Sequence, residues 1–193
     1  MVRLLNFVLY QIGWFACVWG AAYANSSWGI VVAMSLVGIH LFLTTDRTNQ
    51  AKLLLIAASV GFVVDSALLG IGVYRFPNAA LVDGLPPLWM SALWFQFATT
   101  FRYCLQWLSG RYAICGVLGL AGAPVAFLGG ESLGAVAFCA PRLTNLLILG
   151  SLWAIAIPLL IYLSDRIHAK AAAEASYRGF SSPQDARKSD ATA

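Results

Sequence analysis

Asp65 is the acid placed deepest in an apolar run of this chain, about thirteen residues beyond Lys52. Holding a carboxylate in hydrocarbon costs at least about 2.5 kcal/mol at mid-bilayer. Such a group relays a proton, binds a cation, or accepts hydrogen bonds from a buried donor. The structural alternative is a neutral or hydrogen-bonded acid that fixes helix packing through Ser66, Gln96 or Gln11. Asp65 shares a helical face with Gly61 and Gly72, a small side suited to the inside of a bundle.

A second polar set lies in the stretch PPLWMSALWFQFATTFRYCLQWL, residues 86–108. Its Gln96, Thr99, Thr100 and Arg102 are groups that hydrocarbon disfavours. Read as one helix, it puts Gln96, Thr100 and Tyr103 on one face, and Arg102 and Gln106 on another strip. Arg102 stands about six residues from the inner end, roughly 9 Å at 1.5 Å per residue. That distance suits snorkelling to the headgroups; a direct pair with Asp65 would have to close roughly 10 Å of depth. Asp65, Ser66, Gln96, Arg102 and Gln11 are therefore the candidate intramembrane polar site.

Glu131 and Arg142 form a candidate charged site on the opposite side, with Asp83 and Arg75 on the neighbouring loop. They either pair with each other or present charge to a lipid headgroup or a partner. His40 is a lone histidine with no second ligand at metal spacing, and His168 lies on the tail. There is no H-E-x-x-H, no histidine cluster and no phosphate loop. Ser132 lacks a base on its side. No catalytic residue, cofactor or metal site is assigned. Cys17, Cys104, Cys115 and Cys139 form no C-x-x-C pair and read as small apolar residues.

The elements that must position these residues are membrane helices. The chain has 193 residues, 60% hydrophobic and 10% charged, and repeated apolar runs near twenty residues long exclude an ordinary soluble domain. The fold class is all-α, a polytopic bundle of six transmembrane helices. The spans are predicted at about 4–23, 28–44, 52–72, 86–108, 112–128 and 143–163. Gly13, Cys17, Gly20 and Ala24 give the first span a small-residue face. A cleaved signal peptide is the rival reading of that span, since Ala22-Tyr23-Ala24 resembles a cleavage site; Asn6, Gln11, Trp14 and Trp19 favour a retained helix.

Between the fifth and sixth spans, residues 129–142 are too short to cross and apolar for a loop. An interfacial or re-entrant half-helix and a loop lying on the bundle are both open. Residues 165–176 continue the last helix, and 178–193 are too polar to order; together 165–193 form a polar cytoplasmic tail. Trp14-x4-Trp19 echoes Trp89-x4-Trp94, a hint of an inverted repeat.

With both termini cytoplasmic, Arg3, Arg47, Lys52, Arg102, Arg111, Arg166, Lys170, Arg178, Arg187 and Lys188 fall inside. Only Arg75 and Arg142 fall outside, so ten of the twelve basic residues obey the positive-inside rule. The net charge of +4 is spread thinly, with no basic stripe for nucleic acid.

Asn6, Gln11 and Trp14, then Asp65-Ser66, then Leu85-Pro86-Pro87-Leu88-Trp89 with Trp94, occur in a characteristic order. With Gly122-Ala123-Pro124, Gly129-Gly130 and Gly134-Ala135, the chain resembles the bacterial inner-membrane family filed as domain of unknown function 2878. The resemblance covers about Leu4 to Leu163. Members of that family have no established activity and often belong to gene neighbourhoods concerned with modifying membrane fatty acids. The resemblance implies a place in the inner membrane and an accessory role in lipid or envelope metabolism. Its partners would be membrane lipids, and lipid-modifying enzymes or a second copy of the chain. The alternative from the residues is a small proton- or cation-coupled transporter or channel using Asp65.

Overall fold

The computed structural model describes residues 2–78 and 84–180. Asp83 and the tail from residue 181 onward lie outside them. Five helices are long and apolar enough to cross a membrane: α1 (Val2–Ala22), α2 (Ser26–Leu43), α3 (Arg47–Gly70), α5 (Tyr112–Ser132) and α6 (Arg142–Phe180). α1 packs on α2 and α5 on α6 as two antiparallel hairpins, while α3 meets α2 and α6. The polar stretch after Leu163 continues α6 without a break.

The expected single helix over 86–108 is corrected. The helix there, α4, covers only Leu88–Ala98 and is followed by turns and one 3-10 turn, Gln106–Leu108. The threonines explain the break. Thr99 donates its hydroxyl to the Gln96 carbonyl at 2.7 Å, and Thr100 donates to that of Phe97. Such side-chain bonds compete with the helical ladder. Asn6 of α1 then takes over, donating to the Thr99 carbonyl at 3.3 Å and accepting from the Cys104 N–H at 3.4 Å. The two helical strips expected beyond Thr99 therefore do not form; Tyr103 instead meets the Thr44 hydroxyl at 3.3 Å.

The broken segment still runs the length of α1. Gln96 lies against Gly13, Thr99 against Asn6, and the Gln106 side-chain Oε1 accepts from Arg3 at 3.4 Å. α4 is also the most enclosed element, packed on α1, α2 and α3, with Trp89, Met90, Ala92, Trp94, Gln96 and Ala98 buried.

Residues 129–142 contain no half-helix. α5 runs on to Ser132, and a turn then leads to a two-residue strand, β2 (Ala137–Phe138), paired antiparallel with β1 (Tyr74–Arg75). An apolar loop can sit at this depth because its backbone is paired: Tyr74 opposes Phe138, and the Cys139 N–H donates to the Val73 carbonyl at 3.2 Å.

Two prolines shape the α5–α6 hairpin. A proline inside a helix frees the carbonyl four residues earlier, here Leu120 before Pro124 and Ala154 before Pro158. Each freed carbonyl faces a glycine of the other helix. A Cβ on Gly150 would crowd the Leu120 oxygen, and one on Gly116 would lie 3.2 Å from that of Ala154.

Candidate functional site

Asp65 is completely buried, and its carboxyl is fully engaged. Tyr74 of β1 donates its hydroxyl to Oδ1 at 2.9 Å, and the Trp94 indole N–H donates to Oδ2 at 2.8 Å. Neither donor was among those expected. Ser66 instead donates to the Phe62 carbonyl of its own helix at 2.6 Å. A tyrosine nine residues on, past a turn, cannot be matched to Asp65 by helical periodicity. Trp94 could have been sought, because Gly61 shares Asp65's face: a Cβ at Gly61 would fall inside the Trp94 ring.

Gln96 donates Nε2 to the Ala33 carbonyl of α2 at 2.8 Å. Together with the Asn6 bonds, α4 is held by a polar tie from each of its three neighbours: α1 through Asn6, α2 through Ala33 and α3 through Asp65. Asp65 and Gln96 thus serve the same element without touching the same partner. Arg102 does not join them; it is exposed. Gln11 lies apart as well, half-buried in an apolar hollow between α1 and α2 with Phe15, Trp19 and Trp28.

Glu131 and Arg142 come together as an ion pair. Glu131 also accepts the Phe138 N–H at 3.1 Å, so the pair clasps β2 between the ends of α5 and α6.

On its other side α4 faces a cleft of about 270 Å³. Trp94 stacks on Trp153 of α6, rings 4.5 Å apart and 20° from parallel, and Phe97 packs against both. These rings form the floor. One wall is α1, with Tyr10, Trp14 and Val18; the other is α5, with Leu118, Gly122 and Ala126. α1 and α5 do not pack along their lengths, so no close helix–helix contact fills the space between them. Among the described residues no charged side chain lines it. Hydropathy could not show it, because its residues look like ordinary lipid-facing ones; the small residues Gly122 and Ala126, one turn apart, were the available signal.

The chemistry available follows. Among the described residues no group of three or more His, Cys, Asp or Glu could hold a metal. The broken end of α4 does not offer bare carbonyls to a cation, as discontinuous membrane helices can, because those of Gln96, Phe97 and Thr99 already accept bonds. The arrangement can hold an apolar ligand against aromatic faces.

Comparison with known proteins adds the family. The family described as "Protein of unknown function (DUF2878)" matches residues 3–159, and the chain belongs to it. No curated protein and no solved structure matches the chain.

Proposed function

We propose that this multi-pass membrane protein is a non-catalytic accessory of membrane-lipid metabolism that admits an acyl chain, or a ligand equally apolar, through its lateral cleft. One observation carries this reading: the cleft is walled by α1 and α5, floored by Trp94, Trp153 and Phe97, and, among the described residues, lined by no charge. Its volume, about 270 Å³, falls just below the roughly 300–1,000 Å³ typical of small-molecule pockets, which limits the occupant to a single slender chain. The setting we infer is a bacterial inner membrane crossed six times, the fourth passage being α4 with its turns. The basic residues at the Arg3 end support a reading with both termini in the cytoplasm.

A transporter that uses Asp65 has less support. Both carboxyl oxygens are occupied by protein donors, and Asp65 does not line the cleft. The test is mass spectrometry of membrane lipids from a deletion strain carrying wild type or Gly122→Leu. Gly122 lines the cleft and a Cβ there meets nothing within 4 Å, so the backbone accepts a side chain at this position and leucine is expected to occupy cleft space. We expect a lipid class to change on deletion and to be restored by wild type alone. An unchanged lipid profile would remove the reading.

A further inference from the structure

The cleft has a distinct chemistry at one end. Arg3 precedes Tyr10, the first cleft residue of α1, by seven positions, and Arg111 precedes Leu118, the first of α5, by the same interval. On α1 seven residues are two helical turns, so Arg3 lies about 10 Å before Tyr10 on the same side; Arg111 immediately precedes α5, and its N–H donates to the carbonyl of the cleft residue Leu108 at 2.8 Å. Both arginines are exposed. Among the described residues neither forms an ion pair; the salt bridges there are Arg142–Glu131, His168–Asp46 and Lys170–Glu174. Asp165 of α6 accepts from the hydroxyls of the two residues close to Arg111 in sequence, Ser109 at 2.8 Å and Tyr112 at 3.1 Å. Arg3 is placed by Gln106, which adjoins Leu105 of the cleft. Arg102 is exposed on the same connecting segment.

Building on the acyl-chain reading above, we propose that the occupant is a phospholipid of net negative charge from the leaflet at the Arg3 end. One of its chains lies between α1 and α5, and its phosphate is held by Arg3 and Arg111. A chain alone would need only the apolar lining. Two unpaired guanidiniums, one at the same end of each wall, are what an anionic headgroup requires, since arginine suits the phosphate group.

The test uses the full chain purified in detergent and offered equal amounts of phosphatidylglycerol and phosphatidylethanolamine with identical chains. Native mass spectrometry reads the retained lipid. Wild type is expected to keep one lipid and to prefer phosphatidylglycerol, by about fivefold for each arginine engaged. Arg3→Gln with Arg111→Gln should still retain a lipid, now without preference, and Gly122→Leu should retain neither. Thermal unfolding of each variant confirms that it is folded; both arginines lie on the surface. Retention without headgroup preference, or a preference that survives the double substitution, overturns this inference and leaves the acyl-chain reading standing. If wild type retains no more lipid than Gly122→Leu, both fail.

Discussion

The two faces of α4 are built from opposite materials. Towards α1, α2 and α3 it is held by hydrogen bonds: Asn6 donates to the Thr99 carbonyl at its C-terminal end, Gln96 donates to the Ala33 carbonyl, and Trp94 donates to Asp65. Towards α5 and α6 it offers Trp94 and Phe97 to a cleft that no charged side chain among the described residues lines. Trp94 belongs to both faces: its N–H is fixed by Asp65 while its ring lies on Trp153. The buried polar groups of this bundle hold an element in place, and the space beside that element is lined by apolar groups. A deep acid in a membrane helix is a functional candidate by default; here both its oxygens accept bonds, one of them from the Trp94 indole of the cleft floor.

The comparison breaks most visibly at Asp65. Asp65→Ala leaves the Tyr74 hydroxyl and the Trp94 N–H without an acceptor, at roughly 1–3 kcal/mol for each buried donor. Thermal unfolding in detergent should show a larger loss than for any other single substitution on either face of α4. Asp65→Asn keeps one acceptor oxygen and should lose about half as much, with tryptophan fluorescence reporting a displaced indole. Wild-type stability in both variants would mean that Asp65 does not hold α4, and a transport role would regain its place.

Gly61→Ala is next. The added methyl would fall inside the Trp94 ring, which cannot retreat because Trp153 is stacked behind it. Overpacking of this kind costs about 1–3 kcal/mol. Gln96→Leu follows, at about 1 kcal/mol for one interhelical hydrogen bond, read in the same assay. A loss from Gln96→Leu as large as that from Asp65→Ala would show that the tie to α2, not that to α3, governs α4.

The contrast also marks how far the sequence could be read. Long apolar helices follow from hydropathy alone, and five stand close to where they were expected. Asp65 and Gln96 were legible as polar groups needing partners, because hydrocarbon supplies none. Their partners were not. Tyr74 lies beyond a helix end and the Ala33 carbonyl is a backbone group on another helix, so neither shares a periodicity with the residue it serves. The break after Ala98 escaped for a related reason: two threonines and an asparagine ninety-three residues away replace the ladder, while the apolar run continues unchanged. Residues 129–142 showed their excess of apolar groups, but strand pairing with 74–75 is a long-range fact.

The smallest effect gives the finest test, because it repeats the Gly61 substitution on the other face. Gly122→Ala adds the same methyl group at a position in α5 where nothing stands within 4 Å. Alanine loses less backbone freedom than glycine in a helix, a difference of about 0.5–1 kcal/mol. Stability should therefore rise slightly at Gly122 and fall at Gly61, for one chemical change made in two helices. The opposite signs would come from packing alone: Gly61 is absent a side chain because an indole occupies the space, whereas Gly122 leaves space vacant. A loss at Gly122 comparable to that at Gly61 would mean that α5 closes on the cleft, and that the space beside Trp94 is not open to a ligand.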